Sequence, residues 1–214
     1  MLNEISCVCP NLEALKSKGY QNLFGLDIEE NMCKIAFEKT KLPIEVGSHS
    51  NIPYKDNFFD AVILIAMIHF VDDLDVLFDG LRRICKKDAL IFIATQSYKQ
   101  IESRFYNKYF PSIVEIDKKH YHKIETIIST AKQNGFSLCA EEDFLSGTEM
   151  IVDEKYFKLV KDKGFFIFER LAQLQNDEFN KGVSQLEEYM KNNGNFIAPF
   201  AGWTIITLQN RKEN

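Results

Sequence analysis

The sequence predicts an α/β fold, a doubly wound and mostly parallel sheet carrying a helical insertion. Three observations predict it. The apolar runs at 60–66 (DAVILIA) and 89–95 (ALIFIAT) are continuous, as strands buried on both faces require. Segments of helical period alternate with such runs through the first half of the chain. The connections between them are short, which suits parallel strands joined by crossover helices. At 214 residues, 45% hydrophobic and 27% charged, the chain has the size and apolar content for one domain with a real core.

Residues 22–27 (NLFGLD) read as a buried strand that ends on an acid. A helix follows over 29–38, with Glu29 and Glu30 at its positive end. Residues 43–47 (PIEVG) form a short strand, and 60–66 an interior one. In DDLDVLFDGLRRICKK the apolar positions 74, 77, 78, 81, 84 and 85 make one helical stripe. Asp72 and Asp73 lie at the start of that helix, and Arg82, Arg83, Lys86 and Lys87 near its end, as the dipole prefers. After the strand at 89–95, residues 122–134 place Ile124, Ile127, Ile128 and Ala131 on one helical face and stop at Asn134-Gly135. A strand is expected over 136–144, and two or three helices over 153–191. The last of these carries Phe179, Val183, Leu186 and Met190 on one stripe. Residues 202–209 (GWTIITLQ) alternate as a final strand does. The expected organisation is a single domain over 1–214, with a helical cap inserted at 145–198.

Composition excludes several function classes. Lys and Arg number 26 against 31 Asp and Glu, a net charge of −5, which argues against a nucleic-acid surface. No apolar run approaches the roughly 18–20 residues that span a bilayer, so no membrane partner is expected. The first residues, MLNEISCVCP, lack the basic and apolar stretches of a signal peptide. Five scattered cysteines (7, 9, 33, 85 and 139) fit reduced thiols, and the expected location is cytoplasmic. Cys7-Val8-Cys9 has no second close Cys or His pair to complete a metal site, so no metal is expected. The 18 Phe and 8 Tyr beside one Trp point to a heavily apolar interior and an apolar pocket.

In a doubly wound sheet, ligands bind beyond the carboxyl ends of the strands, near the point where strand order reverses. Asp27 closes one such strand. A carboxylate there can accept both hydrogen bonds of a ribose diol, or it can simply cap the helix that follows. The other strand ends fall at residues 6–10, 47–50, 66–69 and 95–97.

Taken in order, NLFGLDIEENMCKIA, VGSHSNIPYKDNFFDAVILIAMIHFVDDLDVLFDGLRRI and ALIFIAT resemble the class I S-adenosylmethionine-dependent methyltransferases of the small-molecule type (methyltransferase type 11-like). The resemblance implies a Rossmann-like doubly wound sheet whose last strand is antiparallel, with a helical cap. It implies S-adenosylmethionine as cofactor, with Asp27 on the ribose and Ile28 on the adenine. Ile52-Pro53 and Phe59-Asp60 match the stretch leading into the fourth strand, and Ile68-His69-Phe70 the turn after it. Glu4, Ser6, Ser48, His49 and Ala66 are the remaining cofactor-site candidates. His69, where the methyl group would point, is the candidate general base.

The sequence also departs from that pattern. Ser6, Val8 and Pro10 stand where the family's loop after the first strand has glycines. Glycine lets backbone approach a ligand at φ > 0, whereas Val resists that conformation and Pro donates no N–H. Ser48 stands where the family often has an acid, and Lys87-Asp88 replaces a Pro-Gly-Gly turn. The chain starts almost at the first strand, without the helices that precede it in the family. Two readings stay open: a methyltransferase acting on a small-molecule acceptor, and an inactive methyltransferase-like module that binds or regulates. A homodimer, or pairing with an active partner, is compatible with either. His120-Tyr121-His122 and the aromatics Tyr156, Phe157, Phe165, Phe166 and Phe168 are candidates for a substrate-facing surface, with core packing the alternative for the aromatics.

Overall fold

A computed structural model of the chain describes residues 4–6, 9–144 and 149–212. In chain order the elements begin with β1 (Glu4–Ser6), α1 (Cys9–Ser17), β2 (Leu23–Asp27), α2 (Glu30–Thr40) and β3 (Ile44–Val46). Next come β4 (Phe59–Ile65), a 3-10 turn at Ile68–Phe70, α3 (Leu74–Ile84) and β5 (Cys85–Thr95). They are followed by α4 (Tyr98–Glu102), a 3-10 turn at Phe105–Lys108, α5 (Ile113–Lys118), α6 (Ile124–Gln133) and β6 (Phe136–Phe144). The chain ends with β7 (Glu149–Val152), α7 (Glu154–Lys161), α8 (Phe166–Leu174), α9 (Asn176–Asn193), β8 (Phe196–Pro199) and β9 (Trp203–Asn210).

Seven strands form the main sheet in the order β3-β2-β1-β4-β5-β9-β6. The pairs β1–β2, β1–β4, β2–β3 and β4–β5 are parallel, and β9 runs antiparallel to β5. This is the doubly wound sheet expected, with its antiparallel last strand. The chain leaves β1 toward β2 and β3, then crosses to β4 on the other side. Strand order therefore reverses between β1 and β4, the place where such sheets bind ligands.

Local chemistry explains the elements that build this edge. Asp73 caps α3, its Oδ1 accepting the amides of Asp75 (2.9 Å) and Val76 (3.2 Å). The stripe Leu74, Leu77, Phe78, Leu81 and Ile84 is buried, together with Cys85. Truncating any one of the large members to Ala costs about 2–5 kcal/mol. Lys86 and Lys87, expected at the helix end, lie instead on β5. The helix passes straight into the strand, and Lys86 pairs with Asp60 of β4 at 2.7 Å. Pairing shifts from Phe59↔Cys85 to Ala61↔Leu90, a bulge that Asp88 accommodates at φ 61°. Helical periodicity ran on into a strand because the first strand residue, Cys85, is also apolar and buried. At the far end of α3, Arg82 donates to Asn134 O at 3.0 Å and so caps α6, whose face Ile124, Ile127, Ile128 and Ala131 is buried as expected.

The chain divides into two compact units. The first comprises residues up to Thr95, His122–Glu142 and Thr204 onward, and holds the main sheet and its core. The second comprises Gln96–Tyr121 and Asp143–Trp203. The cap expected over 145–198 falls inside this second unit, which also takes in the segment after β5. Its core gathers Phe110, Ile113, Val160, Phe168, Leu171, Phe179 and Leu186. Three helices occupy the stretch over 153–191. The stripe expected on α9 is present: Phe179 and Leu186 are buried, and Val183 and Met190 pack against them. At Gly182, α9 approaches so closely that a Cβ would lie 2.3 Å from Phe110 Cε1. The antiparallel pair β7–β8 was not expected from the sequence. Its strands are four residues each and lie about forty residues apart, too short and too distant for a periodic signal.

Candidate active site

The parallel strands bring several chain segments to one edge of the first unit. Asp27 ends β2, level with Val46 of β3, and the Gly47 amide donates to Asp27 O at 2.9 Å. A side chain at Gly47 would strike Pro53 Cδ at 2.7 Å and Asn51 O at 3.0 Å, so glycine is required for this close turn. Asp27 itself is half-buried. Its Oδ1 accepts the Glu29 amide at 2.9 Å. Ile28 beside it is 69% exposed, an apolar surface with no core role. Beneath the strand end, Asp27, Gly25, Leu26, Leu12, Met32, Ala36 and Ile44 line a cavity of about 10 Å³, the space of one water. Cys33 ties this corner together, its thiol donating to Asp27 O at 3.6 Å and Glu45 O at 3.5 Å. Burial, then the Asp27 carboxylate, pushes that thiol's pKa up.

Ser48 and His49 follow β3. Ser48 bridges to Asn51 and shares a 2.9 Å hydroxyl contact with Ser50. His49 is half-buried and lines an open groove of about 620 Å³ with Asn51, Asp75, Asp79, Arg83 and Asn134. Across the switch point, Ala66 follows β4 in the left-handed region at φ 51°, its amide bonded to Ala94 O at 3.0 Å. A non-glycine residue there costs about 1–3 kcal/mol and persists because the surroundings fix it. The next turn is held by Ile68, which is 1% exposed, and by His122, whose Nε2 lies 2.7 Å from Val71 O. His69 is half-buried in this turn, its ring against Phe70 at 4.2 Å.

Glu4 and Ser6 lie on β1, between β2 and β4. Glu4 pairs with Leu23, four residues before Asp27, so it sits about 13 Å lower along the strands. The structure thus brings Asp27, Ile28, Ser48, His49, Ala66 and His69 to one edge and sets Glu4 below it. Strands β2 and β4 flank β1, so their ends are about 10 Å apart, the span of a nucleoside. Of the substituted loop, Val8 and Cys7 lie outside the described residues. Cys9 and Pro10 begin α1, where a missing N–H is tolerated.

His120 and His122 serve different partners. His122 anchors the turn after β4, whereas His120 Nδ1 faces Arg170 Nη1 at 3.4 Å. Among the described residues, no group of three or more His, Cys, Asp or Glu is placed to hold a metal. Phe168 is core, and Tyr156 and Phe157 pack against it, as the packing alternative held. Phe165 and Phe166 are exposed.

Sequence reasoning missed a polar cluster within the second unit. Arg104 and Asp117 form an ion pair in which each side chain is 7% exposed. Gln96 Oε1 accepts from Arg104 Nε at 3.1 Å and Nη2 at 2.5 Å, while Gln96 Nε2 donates to Gly202 O at 2.8 Å. The rings of Tyr106 and Tyr121 flank the guanidinium at 5.8 and 5.5 Å. Burial pushes the Asp117 carboxyl up, with Arg104 opposing it. The one signal was an arginine and a carboxylate in apolar stretches, which carries no information about pairing.

The methyltransferase-domain family matches residues 4–93, from β1 into β5. Demethylmenaquinone methyltransferase of Staphylococcus haemolyticus is 25% identical over 147 residues, covering 66% of this chain and 60% of that protein. An uncharacterized protein of Methanocaldococcus jannaschii is 21% identical over 120 residues, covering 56% of this chain and 58% of its own. The matches therefore span less than two thirds of these relatives. Among solved structures, a SAM-dependent methyltransferase of Methanosarcina mazei aligns with TM-score 0.61 at 14% identity, over 99% of this chain and 93% of the other. The [4+2]-cyclase SpnF aligns with TM-score 0.60 at 13% identity, over 99% and 76%.

Proposed function

The chain has the class I S-adenosylmethionine-dependent methyltransferase fold, and from that premise we propose that it transfers a methyl group from S-adenosylmethionine to a small-molecule acceptor. The observation that carries this reading is the half-buried Asp27 carboxylate at the tip of β2, next to exposed Ile28 and two strands from the turn bearing His69. Those residues fit the cofactor: Asp27 accepts from the ribose diol and Ile28 packs on the adenine. Ser48 and His49 border the adenine side, Ala66 presents backbone at the β4 end, and β1 ends at Ser6 on the methionine side, with Glu4 too far below the edge to take part. The group, when bound, supplies an electrophilic methyl on a sulfonium. The chain's own part is alignment of the acceptor, worth more than any single contact, and His69 as acceptor of the nucleophile's proton. The relatives named demethylmenaquinone methyltransferase support a small, ring-bearing acceptor.

Titration calorimetry with S-adenosylmethionine and its demethylated product tests the reading. Binding of both, with labelled methyl appearing in an acceptor, is the expected result. No heat at millimolar ligand overturns it. Binding without transfer to any acceptor supports the inactive-module reading instead, which the Ser6, Val8 and Pro10 replacements favour.

A further inference from the structure

Lys161, Asp162, Lys163, Gly164, Phe165 and Phe166 are all exposed where α7 turns into α8. The turn closes the end of α7: the Gly164 amide donates to Leu159 O at 2.7 Å and the Lys163 amide to Val160 O at 3.1 Å, with Lys163 in the left-handed region at φ 57°. A helix end of this kind commonly packs the side chain at 164 on the one at 159, but glycine brings none. Leu159 is 40% exposed, Phe165 37% and Phe166 49%. The same two helices send Val160 and Phe168 into the core of the second unit, so these three large apolar side chains are left at its surface.

Lysines edge the tip. Lys158 adjoins Leu159 and Lys155 lies one turn before it, both exposed, and neither enters an ion pair among the described residues. Lys161 approaches Glu187 only to 3.9 Å, and Lys163 lies 5.6 Å from the Phe179 ring. Residues 154–170 carry five Lys or Arg against three Asp or Glu, a net charge of +2 in a chain whose total is −5. A lysine stem can lie along apolar surface while its ammonium stays in water. Apolar side chains at a turn edged by lysines match the two layers of an anionic leaflet, acyl chains beneath and phosphates above. A protein partner would need a pocket shaped to this tip; a leaflet needs none.

We propose that Leu159, Phe165 and Phe166, with Lys155 and Lys158, dock the chain on an anionic lipid surface. Among the described residues no helix is long and apolar enough to cross a membrane, and docking on one leaflet requires none. The expectation of no membrane partner rested on the missing spanning run alone. Docking is independent of the methyltransferase reading.

Vesicles of phosphatidylcholine and phosphatidylglycerol in equal parts are the probe, with pure phosphatidylcholine vesicles beside them. The full chain should sediment with the anionic vesicles, bind the neutral ones at least about tenfold more weakly, and be released by added salt. Leu159→Ser combined with Phe166→Ser should weaken binding at least about tenfold. Lys155→Glu combined with Lys158→Glu should weaken it about a hundredfold on anionic vesicles. All four residues are exposed, so urea unfolding midpoints should match the native chain, and S-adenosylmethionine affinity should be unchanged. Failure of the native chain to bind anionic vesicles, or equal binding by the native chain and either double variant, overturns the surface. A concentration-dependent dimer that Leu159→Ser with Phe166→Ser disperses, in a chain that ignores vesicles, assigns the tip to a second copy and overturns it too. Vesicle binding without any cofactor binding leaves the surface standing and removes the methyltransferase reading.

Discussion

The Asp27 carboxylate accepts the Glu29 amide at 2.9 Å, so the same acid that ends β2 also shapes the turn into α2. Candidate ligand and local turn former are one side chain, and the two roles separate chemically. Asp27→Asn keeps an acceptor oxygen for Glu29 but loses the charge. It should change stability by under about 1 kcal/mol while weakening S-adenosylmethionine binding about tenfold to a hundredfold, one charge-assisted hydrogen bond. Asp27→Ala should lose both. Calorimetry and urea unfolding on the pair distinguish them, and equal cofactor affinity in Asp27→Asn and the native chain removes the ribose assignment.

His69 lies in a turn whose backbone is held by buried Ile68 and by His122. His69→Ala should therefore leave the fold and cofactor affinity intact and slow methyl transfer about 10²- to 10⁴-fold, the usual worth of a general base. Undiminished transfer excludes the base.

The close approach of α9 to Phe110 makes Gly182→Ala an overpacking change. A Cβ there meets Phe110 Cε1 at 2.3 Å and the Tyr109 carbonyl at 2.6 Å, so backbone as well as side chain must shift. The expected loss is about 1–3 kcal/mol, read by urea unfolding. A midpoint unchanged from the native chain would show that α9 does not pack there.

Cys85 is fully buried at the start of β5, and burial pushes its thiol up from the usual 9.0 to about 12. The folded state therefore keeps a proton that the unfolded chain releases. The associated stability is full below pH 9.0 and is lost as pH rises toward about 12. Cys85→Ala lacks this dependence, so its unfolding free energy should fall less steeply than that of the native chain between those pH values. Parallel curves would contradict the burial.

Much of the first unit was legible because its signals are local. The runs 60–66 and 89–95 are apolar on both faces, and α3 carries one uninterrupted stripe, so period alone separates strand from helix. The end of α3 was not legible. Cys85 continues the apolar stripe, and only the bulge against Phe59 and Ala61 shows that it already belongs to a strand. Asp27 was legible as an acid closing a strand before a helix. Its single turn-forming bond, and the level at which Glu4 sits relative to it, were not.

The sequence by itself determined the interior strands at 60–66 and 89–95, the buried stripes of α3, α6 and α9, and which acid stands at the tip of β2, because periodicity and end signals act over a few residues. Only the tertiary structure decided that β1 lies between β2 and β4. It also decided that Arg104, Asp117 and Gln96 close on one another, and that Gly182 meets Phe110. Those outcomes depend on contacts between residues far apart in the chain, where the free energy of packing and buried polar pairing is set by shape, and no neighbouring residue encodes it.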